Sequence, residues 1–220
     1  MNKFFLILTL VFASSCELPS IIQADQYIEP IPIEVSSKNS DYENVWERII
    51  DTSLSENYVL DEKTLRYING YLANPAQFNK LLEKGRYFIF FVLEELERYR
   101  LPPELALLPY IESNYDPFSI SASGAMGIWQ FMPATARIYG LKDTWWYEQR
   151  HDPLVSSKAA VRYLAYLHNR FNKELSYTLA AYNGGPTLLE KQIKINKKAG
   201  KSTEYVNLKL PKQTQEYVPK

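Results

Sequence analysis

From residue 41 onward the apolar positions recur at helical spacing. In "RYFIFFVLEELERYR", Phe88, Val92, Leu96 and Tyr99 fall on one stripe, with Glu94, Glu97 and Arg98 on the opposite side. That pattern predicts a core helix, with its aromatic run inside. Upstream, "DYENVWERII" predicts a helix capped by Asp41, with Val45, Ile49 and Ile50 as its apolar positions, and "DEKTLRYINGYL" follows it. Asn74-Pro75 reads as a cap and a first-turn proline opening "PAQFNKLLEKG", which Gly85 stops. Downstream, Pro133 starts a helix that Gly140 ends, and Asp152-Pro153 caps a long helix carrying Ala160, Leu164, Leu167 and Phe171. "LSYTLAAYNGGP" is an apolar helix stopped by Gly184, Gly185 and Pro186, with Tyr182 and Asn183 at its mouth. No alternating strand and no internal repeat is legible. The expected fold class is mainly α.

One short segment breaks the usual separation of charge from apolar sequence. Pro102-Pro103 predicts a helix running to about Asn114, and the seven residues from Leu105 to Ile111 carry no charge. A helix that is apolar all round is buried. Glu112 ends this segment on the stripe of Leu101, Leu105 and Leu108. Burial and the carbonyl-rich helix end both favour its protonated form. A carboxylic acid kept neutral near pH 7 can serve as a general acid. The alternative is that the helix ends there and Glu112 fans out into water. Asp116-Pro117 then signals a turn, and "SISASGAMG" brings small residues whose glycines allow close backbone approach.

The first forty residues have a different character. Lys3 precedes an apolar run from Phe4 to Ala13, then Ser14-Ser15 and Cys16, the only cysteine. The run has the length of a signal h-region and is too short to span a bilayer comfortably. Residues 24–40 contain two prolines and no period, and read as a tether. The expected organisation is a signal peptide at 1–15, a tether at 16–40, an N-terminal helical region at 41–100 and a catalytic domain at 101–220.

Composition narrows the function classes. The chain has 220 residues, enough for one good-sized domain and an extension. It balances 25 Lys and Arg against 25 Asp and Glu, so no polybasic footprint points to nucleic acid. Its 17 tyrosines suit a surface that stacks flat rings and also hydrogen-bonds. Trp145 and Trp146 are expected as packing residues. His151 and His168 have no partner cluster at metal spacing, so neither metal nor cofactor is assigned.

Three stretches occurring in order carry a family resemblance: "ES" at 112–113, "GAMGIWQFMP" at 124–133 and "AAYNGG" at 180–185. The chain resembles the lytic murein transglycosylases with a goose-lysozyme-like catalytic domain, and among them the membrane-bound D branch. "VWERI", "WWYEQRHDP" and "LKLPKQTQEYVPK" share that likeness, which runs from about residue 41 to the end. Trp129 stands where other branches of the family carry a different residue. The resemblance implies a lysozyme-like helical domain cleaving the β-1,4 bond between N-acetylmuramic acid and N-acetylglucosamine in peptidoglycan, leaving 1,6-anhydro ends. It implies Glu112 as the catalytic acid and base. Substrate-contacting positions would be Ser121, Gly127, Gln130, Met132, Ala181, Tyr182, Asn183 and Tyr217, with Tyr182 holding the Glu112 carboxyl. Gly127 and Ala181 would present backbone to the sugar. Each also has a purely structural reading, as core hydrogen-bonder, packing residue or turn.

Cys16 after "ASS" resembles a bacterial lipoprotein signal, implying a lipid anchor at Cys16, and Glu17 in place of Asp leans toward an outer-membrane location facing the periplasm. A plain secretory peptide, removed with its cysteine, is the alternative. After "EYVPK" the resemblance implies a continuing helix and LysM modules; a natural short form and a truncated product both fit the sequence. A lysozyme-like hydrolase on the same fold and a non-catalytic peptidoglycan-binding lipoprotein stay open as functions.

Overall fold

A computed structural model describes residues 44–53 and 61–220. The readings at Cys16 and Asp41 lie outside the described residues. Within them the chain is helical, and only isolated bridges stand where a strand could have been. The mainly α class is as the periodicity requires.

Local chemistry sets most helix ends. Helix α1 (Val45–Thr52) is capped by Asn44, whose Oδ1 accepts from the amides of Trp46 at 3.0 Å and Glu47 at 3.1 Å. Asp41 was expected in that role, but Asn44 is the residue in extended backbone immediately before the first turn. Helix α2 (Glu62–Leu72) is capped by Asp61, and α3 (Pro75–Gly85) by Asn74 with Pro75 in its first turn, as expected. Helix α4 (Ile89–Arg98) buries Ile89, Val92, Leu93 and Leu96. Its aromatic run is only partly core. Tyr87 and Phe90 are exposed, each with an arginine guanidinium over its ring, Arg86 at 4.5 Å and Arg48 at 5.3 Å. A π face shared with a cation can remain in water at little cost.

The segment after α4 departs from a single helix. It forms a 3₁₀ turn at Pro103–Leu107 and then a short α-helix, α5 (Leu108–Ser113). Pro109 lacks the amide that would join the two into one α-helical ladder. Helix α5 stops because Asn114 and Tyr115 both adopt left-handed backbone, at φ 55° and 59°. The Tyr115 ring offsets that strain: it is buried, donates to the Ala106 carbonyl at 2.7 Å and meets the Tyr110 ring edge-on at 4.6 Å.

Helix α6 (Pro133–Ile138) and the long α7 (Pro153–Arg170) follow a loop that folds back on itself. Asp152 caps α7 by accepting from Leu154 and Val155. Helix α8 (Leu175–Gly184) ends on Gly185 at φ 85°, α9 (Pro186–Lys198) begins at once, and α10 (Lys212–Tyr217) closes the described chain. One apolar cluster joins α1, α4, the 3₁₀ turn, α5, α6, the first half of α7 and Tyr217. A second joins the end of α7 with α8, α9 and Leu208 and Leu210. Helix α4, grouped by sequence with the N-terminal region, therefore shares the core of the later helices. Tyr163 and Tyr182 pack against both clusters and mark the seam between them.

Trp145 and Trp146 do not pack inside. They are 96% and 70% exposed at the tip of a small hairpin closed by the Asp143–Glu148 bridge.

Gly85 ends α3, but it is a glycine for a packing reason. A Cβ there would overlap the Tyr110 hydroxyl, which donates to the Leu82 carbonyl at 2.6 Å. Gly85→Ala should therefore cost about 1–3 kcal/mol by overpacking. Urea denaturation would measure this, and an unchanged midpoint would show that the Tyr110 contact is dispensable.

Candidate active site

Glu112 occupies the last turn of α5. Its carboxyl is largely buried, with Tyr217 of α10 and Tyr182 of α8 as neighbours, while the residue as a whole is half-buried. Burial pushes the carboxyl up from 4.5 to about 7, against a smaller opposing pull from a hydrogen bond donated by Tyr217 and from the charge of Lys220. The Tyr217 hydroxyl donates to Glu112 Oε1. Burial and the neighbouring carboxylate drive the phenol well above 10, so it stays a donor. Among the described residues, no other carboxylate contributes to the shift at Glu112. Asp116, the nearest acid in sequence, is exposed and accepts from the Phe118 amide at 2.9 Å, which makes it the turn residue it was read as.

Tyr182 is a neighbour of Glu112 but does not hold its carboxyl. Its hydroxyl donates to the Trp129 carbonyl at 2.8 Å, and the partner of Glu112 is Tyr217. The reason is geometric. Tyr182 points from α8 to the loop between α5 and α6, whereas α10 lays Tyr217 across the end of α5.

That loop, residues 116–132, is fastened from several sides. Ser113 donates to the Ile128 carbonyl at 3.0 Å, tying the loop to the residue beside Glu112. Trp129 is fully buried and its indole donates to Ser157 at 2.8 Å on α7. Arg150, 4% exposed and paired with Glu148 at 2.6 Å, donates to the carbonyls of Gly124 at 3.1 Å and Phe131 at 3.3 Å. His151 Nδ1 sits 2.7 Å from the Pro117 carbonyl. Sequence reasoning passed over Arg150 and Glu148 as site-forming residues. The "WWYEQRHDP" stretch holding them was the only available signal.

The remaining predicted positions divide. Gln130 adopts left-handed backbone at φ 47°, and its side-chain amide nitrogen donates to Gly127 at 3.0 Å and Ser119 at 3.2 Å. Its donors are spent within the loop, leaving the amide oxygen. Gly127 has φ 76°, and a Cβ there would collide with the Arg150 carbonyl, so its bare face meets protein backbone and not an open groove. Asn183 accepts from Thr214 at 3.0 Å through Oδ1, which leaves its amide N–H₂ free to donate. Ser121 accepts from the Ala125 amide at 2.9 Å and sits 3.0 Å from Ser123, at the loop tip. Met132 precedes α6 and is 42% exposed. The Ala181 side chain is fully buried in the second cluster, and its carbonyl accepts from Gly185. The structure thus brings Glu112, Tyr217 and Tyr182 together, with Gln130 and Asn183 on adjoining elements. Among the described residues, the hydrogen-bond partner of Glu112 is Tyr217, and Ser121 bonds within its own loop.

The raised carboxyl has a consequence for stability. The native state holds a proton on Glu112 between pH 4.5 and about 7 that the unfolded chain has released, so stability falls as pH rises through that window. Glu112→Gln removes this dependence. Its stability relative to wild type should therefore rise by about 3 kcal/mol between pH 4 and pH 8. Urea titrations at both pH values would read it, and a difference that does not change with pH would refute the buried, protonated carboxyl.

A family model for the "Transglycosylase SLT domain" matches residues 91–205. Membrane-bound lytic murein transglycosylase D from Escherichia coli is 39% identical over 150 residues, which cover 68% of this chain and 33% of that protein. Membrane-bound lytic murein transglycosylase F from Desulfosudis oleivorans is 36% identical over 87 residues, 37% of this chain and 18% of that protein. Among solved structures, an inactive mutant of the lytic transglycosylase Slt from Pseudomonas aeruginosa aligns with a TM-score of 0.49 and 22% identity, over 58% of this chain and 21% of that one. The chain spans about a third of the length of the curated transglycosylase D it matches. With the family match extending over α4 to the 3₁₀ turn at Tyr205–Asn207, the chain belongs to the transglycosylase SLT domain family.

Proposed function

We propose that this protein is a peptidoglycan lytic transglycosylase in which Glu112 is the single acid and base. The observation that carries the reading is a carboxyl raised to about 7 by burial, with Tyr217 as its hydrogen-bond partner and, among the described residues, no second carboxylate acting on it. The names of the similar proteins and the family match support the same chemistry. Protonated Glu112 gives its proton to the glycosidic oxygen as the C1–O bond of the muramoyl residue breaks. The substrate's own N-acetyl oxygen stabilises the positive charge left at C1. The Glu112 carboxylate then takes the proton of the muramoyl C6 hydroxyl, whose oxygen closes on C1. The product is a 1,6-anhydro end, and the acid is restored. A hydroxyl already held beside C1 has a large proximity advantage over free water. Glycosidases that activate water or form a glycosyl-enzyme use two carboxylates flanking the bond. The Asn183 amide, the Gln130 carbonyl and the Tyr182 ring are the groups assigned to the substrate, and Tyr217 positions the acid. Ser121, Gly127, Met132 and Ala181 act through the shape of the loop and of α8.

Anchoring belongs to the same reading. The apolar run before Cys16 and the membrane-bound transglycosylases among the relatives support a lipid-modified Cys16, a tether over 16–40 and a catalytic domain held at the outer membrane facing the periplasm. Among the described residues no helix is long and apolar enough to cross a membrane.

The test is the mass of the products from intact sacculi. Anhydro-muropeptides, each lighter by one water than the hydrolytic counterpart, should dominate. Folded Glu112→Gln protein should release them at least about 10³-fold more slowly, as expected when the acid of such a step is lost. A digest dominated by reducing-end muramic acid would replace the transglycosylase with a hydrolase. The anchor is tested separately. Wild-type protein should fractionate with membranes and carry acyl mass on Cys16, and Cys16→Ala should lack that mass. Equal membrane recovery of both forms, without acylation, would remove the anchor.

A further inference from the structure

A groove of about 540 Å³ lies outside the chemistry described so far. Helices α2 and α3 form it, and it reaches Asn114 at the end of α5. Its charged lining is all positive: Arg66 from α2 and Lys80 and Lys84 from α3, with no acidic residue among the described lining. Arg66 is partly committed, at 3.1 Å from Glu216. Lys80 and Lys84, one helical turn apart, form no ion pair among the described residues. The Tyr71 and Phe78 rings, 5.2 Å apart, supply an aromatic wall in the same lining. The volume falls in the range of small-ligand clefts, and the groove is open to solvent.

The groove is connected to the site by two short routes. Asn114 lies two residues beyond Glu112 and caps its helix. Tyr67, also in the lining, donates to Glu216 at 2.9 Å, and Glu216 is followed by Tyr217. The groove is therefore linked to Glu112 through the end of its helix and to Tyr217 through the Tyr67–Glu216 hydrogen bond.

We propose that this groove is a subsite for the acidic peptide stem that hangs from muramic acid. The inference rests on the proposed substrate. A stem peptide alternates carboxylates with methyl and methylene groups within a few residues. Ammonium groups four residues apart on one helix, without an ion pair among the described residues, match the carboxylates, and the aromatic wall matches the apolar groups. A neutral glycan needs neither lysine, and a nucleic acid would need a much longer positive track. Because the lysines face water, their attraction is modest and weakens with salt.

The decisive experiment uses the stem peptide alone, released from sacculi by an amidase and titrated calorimetrically into the whole protein at low salt. Wild type should bind it saturably. Lys80→Ala/Lys84→Ala, checked as folded by circular dichroism, should bind about tenfold more weakly, the sum of two exposed charge pairs. Unchanged affinity in the double variant, absence of saturable binding to wild type, or equal affinity for tetraglutamate would overturn the subsite. A parallel assay separates this from the catalytic reading. The double variant should lose kcat/KM on stem-bearing strands and keep wild-type turnover of amidase-stripped strands. Failure of wild type to cleave stem-bearing strands would strike the catalytic reading, while the titration still judges the groove.

Discussion

The burial of one carboxyl against one phenol is the constraint around which the molecule is arranged. Glu112 comes from a six-residue helix, and Tyr217 comes from another six-residue helix more than a hundred residues later. Neither helix is long enough to be stable alone. Both exist because the surrounding core holds them: α4 and α7 buttress the α5 side, and α8 carries α10 through Gly184, where a Cβ would crowd Thr214 at 2.9 Å. The same enclosure strips water from the carboxyl and raises it to about 7. Packing thus sets the chemistry here, and the electrostatic partners only trim it.

The loop between α5 and α6 is the second constraint. The fold fastens the loop from outside, with Arg150 and Glu148 behind it, Trp129 driven into the core against Ser157, and Ser113 and Tyr182 holding consecutive carbonyls at Ile128 and Trp129. Left-handed backbone at Gln130 is the strain this arrangement carries. Fixed dipoles of this kind favour a reacting centre because they need no reorganisation when charge develops.

Much of this was legible in the sequence, and the gaps have physical causes. Helical periodicity and proline caps placed α3, α7 and α8, since those signals are local. The uncharged segment before Glu112 pointed to a buried position and left an exposed helix end open; the structure buries the carboxyl, and Pro109 breaks the expected single helix into a 3₁₀ turn and α5. The choice between Tyr182 and Tyr217 as the partner of Glu112 was beyond reach. Both are tyrosines at a helix terminus, and only the packing of α10 on α8 decides which hydroxyl arrives. Gly127 was read as a glycine that lets a ligand approach, whereas the approaching group is the Arg150 carbonyl. The exposure of Trp145 and Trp146 was equally hidden, because a tight hairpin can point any residue outward. The groove between α2 and α3 has no linear signature, since its cations come from two helices and matter only when those helices face one another.

The most direct measurement of the central idea is the titration of the Glu112 carboxyl itself, read by difference infrared or carboxyl-carbon magnetic resonance between wild type and Glu112→Gln. The account predicts a midpoint at about 7 in wild type, and a higher one in Tyr217→Phe, because the lost hydroxyl was stabilising the charged form. A wild-type midpoint near 4.5, the ordinary value for a solvated glutamate, would contradict it.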